Sequence, residues 1–222
     1  MKDYYEVLKK CSLFKGIEPE ELSGLLACLG AVQSRWGKGQ AVLAEGDTAD
    51  RFGIVLEGSL QVVREDYYGN RSLLTVVHPA ELFAEAFACA GVEQIPVSVI
   101  AAEESCVLMV ECRRLLTLCG NACGFHSQLI ANLLQVVSGK NLMLNRKIEL
   151  MSRKTTREKL LAYLLGQAKA KGSAEFTIPY DRQGLADYLG VERSAMSAEL
   201  SKLGAEGLVE YKKNWFRLKE DG

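Results

Sequence analysis

The sequence predicts an α+β chain: an N-terminal antiparallel β-roll, a long amphipathic helix, and a small helical unit closed by a β-hairpin. Three observations carry this. Residues 32–111 alternate short β-type runs with turn signals. Residues 113–151 place apolar side chains at helical spacing. Residues 181–218 read as helix, glycine turn, helix and basic hairpin. A chain of 222 residues is expected to hold one or two domains. With 48% hydrophobic and 25% charged residues it has enough apolar side chains for a core, which excludes a disordered polymer.

The first expected element is a helix within residues 17–30, where Pro19 suits the first turn, Glu20 and Glu21 favour its positive end, and Leu22, Leu25, Leu26 and Leu29 share a face. The β region follows, with glycines at 37, 39, 46, 53, 58 and 69 and a hairpin tip at Tyr68-Gly69-Asn70. Its period-2 alternation is good in SLQVV and PVSVIA and weaker elsewhere. Many short strands with regular turns indicate a roll or barrel.

The long helix carries two stripes. One runs through Ile130, Leu134, Val137, Asn141, Leu144, Ile148 and Met151; the other through Leu129, Val136, Met143 and Leu150. Two stripes exceed what one globular face needs, so one is expected to pack on the roll and the other on the same helix of a second copy. Asn141 could fix the register. Lys140 and Lys147 interrupt the heptads, which leaves a long intrachain helix as the alternative. Ser152-Arg153-Lys154 marks a hinge, giving expected domains of 1–125 (roll and flanking helices), 126–151 (dimerisation helix) and 152–222.

In the last domain Thr155 or Thr156 caps a helix from Arg157 to about Ala170, with Leu160, Leu161, Leu164 and Leu165 inward. A short strand follows. Asp181 then caps a helix with Leu185, Ala186 and Leu189 inward, Gly190 makes the turn, and the next helix turns Met196, Leu200 and Leu203 inward. This is the helix-turn-helix pattern, in which the first helix braces the second for the DNA major groove. The candidate DNA-binding residues are Glu192, Arg193, Ser194, Ser197 and Ser201 on the outer face, with Lys212, Lys213 and Arg217 on the hairpin wing. Arginine can bond guanine O6 and N7 together, and wing cations can hold phosphates. The net charge of −1 excludes a general polycation, yet residues 1–151 sum to −4 and 152–222 to +3, which localises such a surface to the tail.

SLFKGIEPEEL, AVLAEGDTADRFGIVLEGSLQVV, AELFAEAFACAG, the long helix and DRQGLADYLGVERSAMSAELSKLGAEGLV occur in one order. In that order they resemble the Crp/Fnr (catabolite activator/fumarate-nitrate regulator) family across about residues 11–218. The resemblance implies a cyclic-nucleotide-type β-roll, a dimerisation helix and a winged helix-turn-helix. It further implies a non-enzymatic homodimeric transcription regulator that binds a double-stranded operator, and RNA polymerase if it activates. In cyclic-AMP members a cassette approximating Gly-Glu-Leu and, after a loop, Arg-Ser/Thr-Ala holds the nucleotide. Ala84, Glu85 and Ala86 stand at the first three positions here, and Ile95, Pro96 and Val97 at the last three. The ribose-binding acid is retained as Glu85; the phosphate-binding arginine is Ile95. The hydroxyl pair that meets adenine falls at Leu142 and Met143. A buried phosphate without a cation lacks the charged hydrogen bonds that offset desolvation, so cyclic AMP is not the expected effector. Ile95, Pro96, Val97, Leu142 and Met143 would line an apolar pocket, with Glu85, Cys89 and Ser98 as polar features; alternatively these side chains fill the space and nothing binds. On the recognition helix Arg193 matches the family's first arginine, while Ser194 replaces a glutamate and Ala198 a second arginine, which implies a different half-site.

Seven cysteines, an odd number without a secretion core in MKDYYEVLKK, point to reduced thiols and a cytoplasmic location. No apolar run approaches the roughly 18 residues of a membrane helix, so no membrane partner is expected. Cys119, Cys123 and His126, spaced i, i+4, i+7, could grip a metal or haem on a helix face, although buried thiols are the ordinary reading. No metal or cofactor is expected. The iron–sulfur cluster of oxygen-sensing members has only Cys11 in its region. The alternative regulator on the same fold senses redox, haem or metal through Cys89, Cys106, Cys112, Cys119, Cys123 or His126. A cupin-like metalloenzyme is the remote alternative, with only His78 and His126 to supply imidazoles; His78 reads as a loop histidine.

Overall fold

The computed structural model describes residues 4–116 and 124–219. Their contacts divide the chain into two compact units, Met1–Gly139 and Lys140–Gly222.

The first unit opens with helices α1 (Tyr5–Lys10) and α2 (Pro19–Cys28); Glu18 and Glu21 close a capping box on α2. Strands β1 (Val32–Trp36), β2 (Ala41–Leu43), β3 (Arg51–Glu57), β4 (Leu60–Glu65), β5 (Arg71–Val77) and β6 (Leu82–Phe83) follow. Helix α3 (Glu85–Ala90), strands β7 (Ser98–Ala101) and β8 (Ser105–Glu111) and helix α4 (Cys112–Leu116) complete the roll. Two four-stranded antiparallel sheets result, ordered β1-β8-β3-β6 and β2-β7-β4-β5.

Strands β3 and β8 of the first sheet are buried on both faces. Val55 and Val107 meet Val42, Leu60, Val77 and Val99 in the space between the sheets. The alternate residues Phe52, Ile54, Leu56, Cys106, Leu108 and Val110 face Leu8, Leu22, Leu25 and Leu26 of α1 and α2. A strand covered on both sides reads as a continuous apolar run, which explains the weak alternation there. Gly53 is required at its position: a Cβ would lie 2.0 Å from Cζ of Phe83, whose ring fills the gap. The β4–β5 tip forms where expected. Asp66 Oδ1 accepts from the backbone N–H groups of Tyr68 and Asn70, both at 2.9 Å, and the Asn70 bonds hold its carboxyl below the usual value.

Helix α5 spans Gly124–Ser152. In the first unit Leu129 and Leu133 are core residues, and buried Asn132 donates to the carbonyls of Leu13 and Lys15, both at 2.8 Å. Ile130 and Val137, expected on the dimer stripe, instead pack half-buried against this core with Val136, while Leu134 is 65% exposed.

In the second unit Leu144 and Ile148 are 63% and 65% exposed, and Asn141 accepts a hydrogen bond from Asn145. Helix α6 (Thr156–Lys171) is capped by the Thr155 hydroxyl, which accepts from the Glu158 N–H. Strand β9 (Glu175–Thr177), helices α7 (Arg182–Leu189) and α8 (Arg193–Ala205) and strands β10 (Val209–Lys212) and β11 (Trp215–Leu218) follow. The strands form one sheet ordered β10-β11-β9. Leu160, Leu164, Leu185, Ala186, Leu189, Met196, Leu200 and Leu203 build the core as expected. Leu165 does not: it is 59% exposed, because the α6 face toward the core is the Leu160, Tyr163, Leu164 face. Leu150 packs against this core, and Met151, expected on the dimer stripe, leans over Gly190 while 43% exposed. Lys147 interrupts the heptads for a reason: its Nζ lies 3.9 Å over the Tyr188 ring and donates to the Tyr188 carbonyl. Burial there, with Lys159 nearby, lowers its pKa.

Candidate nucleic-acid interface and ligand cassette

The turn between α7 and α8 is set locally. Asp181 Oδ1 accepts from the Gly184 N–H at 2.7 Å and starts α7. Gly190 ends it at φ +60, where its N–H meets the Asp187 carbonyl. Glu192 begins α8 with no side-chain cap bond and is exposed. Met196, Leu200 and Leu203 are sealed in the core at 1% exposure or less, so Arg193, Ser194 and Ser201 are turned to solvent and Ser197 is half-exposed. The Ser201 hydroxyl donates back to the Ser197 carbonyl at 3.0 Å and lies 3.4 Å from the Tyr211 hydroxyl, which orients it beside the wing.

The outer face opens on a cleft of about 600 Å³ whose lining includes Arg182, Gln183, Arg193, Lys213 and Asn214. Three cations thus border one groove. Among the described residues neither Arg193, Lys212 nor Lys213 takes part in an ion pair. Lys213 stands at the wing tip in the left-handed region, φ +54. Arg182 rests over the Tyr211 and Phe216 rings, 5.0 and 5.3 Å from their centroids, and burial lowers its pKa without threatening its charge.

Arg182 and Gln183 were missed in the sequence, though their position directly after the Asp181 cap could have found them: the first turn of the bracing helix exposes free backbone N–H groups and neighbouring side chains to the same groove. Arg217 requires a correction. Its guanidinium is committed to Glu175 at 2.7 Å and Glu210 at 3.5 Å, because β11 is the central strand and each neighbour places a glutamate opposite it. It braces the wing and has no free charge for phosphate.

In the roll, Glu85 is 3% exposed in the first turn of α3. Ala84 before it adopts φ 61, a conformation natural to the glycine of the resembling cassette and strained for alanine. Ile95 and Val97 are 1% and 2% exposed and pack with Ala49, Leu43, Val62 and Phe87, while Pro96 between them faces solvent. The expected lining trio thus separates in the segment leading into β7, and two of its members fill the interior instead of bordering a pocket. Backbone bonds fix this segment: Ile95 N–H to Asp47 O at 2.8 Å and Gly46 N–H to Ile95 O at 2.9 Å. The Ser98 hydroxyl accepts from the Glu45 N–H at 3.1 Å, and Cys89 Sγ lies 3.8 Å from Cys112 Sγ. Leu142 and Met143 belong to the second unit and are 59% and 68% exposed.

His78 is exposed in a loop, where its backbone N–H donates to Glu81. His126 is buried, with Nε2 3.3 Å from the Arg114 carbonyl; Cys119 and Cys123 lie outside the described residues. Among the described residues no helix is long and apolar enough to cross a membrane, and no three His, Cys, Asp or Glu side chains converge as a metal site.

Residues 33–121 match the cyclic nucleotide-binding domain family and residues 158–220 the Crp-like helix-turn-helix domain family. A CRP-like cAMP-activated global transcriptional regulator of Mycobacterium tuberculosis is 32% identical over 80 residues, 36% of this chain and 35% of that protein. The chain therefore spans about a third of the length of the curated relatives it matches. The Thermus thermophilus catabolite activator protein shares the fold at TM-score 0.55 and 22% identity, over 94% of both chains. DNR from Pseudomonas aeruginosa shares it at TM-score 0.53 and 22% identity, over 99% of this chain and 95% of that one. A β-roll matched to one domain family and a helix-turn-helix matched to the other, together covering more than half of the residues, place this chain in the Crp/Fnr family.

Proposed function

We propose that the protein is a homodimeric, sequence-specific DNA-binding transcription regulator, controlled by a small molecule other than cyclic AMP. The observation that carries the DNA reading is the α8 face: Arg193 and the serines are held outward by a sealed core and border a cleft with Lys213 and Arg182. An arginine projecting from the start of a recognition helix can read guanine bidentately, and the unpaired wing lysines supply salt-sensitive affinity for phosphate. The dimer reading rests on the exposed heptad of Leu134, Leu144 and Ile148, a solvated apolar seam with the spacing of a two-helix coiled coil. Two-fold symmetry then predicts a near-palindromic operator with half-sites about one helical turn apart.

The mycobacterial relative is described as cAMP-activated. In this chain Ile95 occupies the position of the phosphate-binding arginine and is packed in an apolar cluster, which supports a different effector. An effector acts only through unequal affinity for two states of the DNA-binding units.

Selection of bound DNA from a random pool, with and without cell-extract metabolites, tests the proposal. An enriched near-palindrome is expected. Arg193→Ala should then cost about 1–3 kcal/mol on that site and little on random DNA. Equal loss on both would remove Arg193 from base reading, and no enrichment under any condition would end the regulator reading. Ile148→Glu should yield a monomer by sedimentation; an unchanged oligomer would remove the seam.

A further inference from the structure

We infer that Cys89 and Cys112 form a reversible thiol pair that a hydroperoxide converts into an intrachain disulfide. The two sulfurs lie 3.8 Å apart although the residues are 23 apart in sequence. Each is fixed by its own element: Cys89 sits in the last turn of α3, half-buried, and Cys112 begins α4 with its N–H on the Asp50 carbonyl at 3.0 Å. Bonding distance is about 2.05 Å, so the sulfurs need to approach by less than about 2 Å, within reach of small side-chain rotations.

The local chemistry divides the roles. The hydrogen bond between the two sulfurs lowers the Cys112 pKa. The same hydrogen bond, then burial, then the negative Cys112 and Glu85 push Cys89 up. Glu85, one turn earlier on α3, is the charged group facing Cys89. At neutral pH Cys112 thus carries more thiolate than an ordinary thiol. Cys112 is itself buried at 3% exposure beside half-exposed Cys89, so a peroxide arriving along Cys89 meets Cys112 as the attacking sulfur, with Cys89 the resolving one. Cys11 and Cys106 are buried at 1% and 0% exposure, and Cys28 is exposed.

The balanced sequence has two steps. The Cys112 thiolate attacks one peroxide oxygen; an S–O bond forms, the O–O bond breaks, and the departing hydroxide takes the Cys89 proton to become water. The Cys89 thiolate then attacks the Cys112 sulfenic sulfur, forming the S–S bond and expelling hydroxide, which is protonated to a second water. Two thiols are oxidised by two electrons and one hydroperoxide is reduced. The bond would staple the helix that carries Glu85 to α4. This inference does not depend on what the roll binds.

Full-length protein, reduced and freed of reductant, is titrated with hydrogen peroxide, alkylated, and digested with Glu-C and trypsin. The expected product joins the peptide Ala86–Glu93 to Cys112–Arg113 at peroxide levels that leave Cys28 alkylatable, and dithiothreitol reverses it. Cys106→Ser should retain the cross-link. Cys112→Ser should slow Cys89 oxidation roughly tenfold or more, and Cys89→Ser should leave Cys112 to accumulate as sulfenic and sulfinic acid. Oxidation of Cys28 ahead of the pair, a cross-link between other cysteines, or undiminished Cys89 reactivity in Cys112→Ser would overturn the assignment.

Discussion

Replacing Gly190 with alanine tests the turn that aims α8. Two costs are separable. At φ +60 an L-residue is strained by about 1–2 kcal/mol, offset by about 0.4–1 kcal/mol because alanine restricts the unfolded chain. The second cost is steric: the new Cβ would lie 2.6 Å from Met151 Cε and 3.1 Å from its Sδ. That obstacle is the far end of a flexible side chain, 43% exposed, so its displacement belongs at the low end of overpacking, about 1 kcal/mol. The total is about 2 kcal/mol, or about 8–16 °C in the melting of a unit of this size. Calorimetry of the full chain for Gly190→Ala, Met151→Ala and the double variant separates the two. The coupling should be about 1 kcal/mol in favour of the double variant, since only the steric part is relieved. A cost below 0.5 kcal/mol for Gly190→Ala would refute the strained left-handed turn, and no coupling to Met151 would refute the contact.

Lys213→Gly removes a wing-tip cation from a left-handed position; thermal stability should not fall, while the salt slope of DNA binding should shrink by about 0.9 per lost phosphate contact. An unchanged slope would remove Lys213 from the interface. Ala84→Gly relieves the φ 61 strain before Glu85 and should raise the stability of the roll by up to about 1 kcal/mol; thermal melting measures this. Glu206, Glu175 and Glu210 are held below the ordinary carboxylate value, first by hydrogen bonds from Arg157, Arg217 and Lys219 respectively. Their folded pKa values lie below the unfolded ones, so their contribution is present above pH 4.5 and disappears as pH falls through the folded values. Melting of the second unit should be level from pH 7 to 5 and drop below that range, less steeply in Glu206→Gln; an equally steep drop in that variant would discount the Arg157 pair.

Local rules made the second unit legible. Asp181, Gly190 and the Met196, Leu200, Leu203 spacing each specify one backbone event, and neighbours in sequence supply the partners. The roll was legible as a region and less so as strands. In β3 and β8 both faces are covered, so the alternation that identifies a strand is absent. What escaped the sequence is long-range pairing. Arg217 looks like a free wing cation until the sheet order sets Glu175 and Glu210 beside it. Cys89 and Cys112 look like two more buried thiols until the roll brings α3 to α4. The cassette resemblance puts Ile95, Pro96 and Val97 on one lining, whereas Ile95 and Val97 are buried and Pro96 between them is exposed.

The same pairing logic bears on how a segment with a net charge of only +3 can gather cations around one cleft. Opposite charges cancel where they meet, so a surface field depends on which cations are left over. In the second unit four glutamates are held in ion pairs: Glu206 by Arg157, Glu199 by Lys202, Glu175 by Arg217, and Glu210 by Arg217 and Lys219. Asp181 lines the cleft itself, its carboxylate accepting from the Gly184 N–H. Arg193 and Lys213 remain around the groove with Arg182, and Lys212 adjoins them on β10. Exposed ion pairs contribute little stability, yet these ones remove negative charge from competition with a phosphate backbone. The wing's glutamates therefore serve the interface by where they are bound, and a count of charges along the chain cannot reveal that.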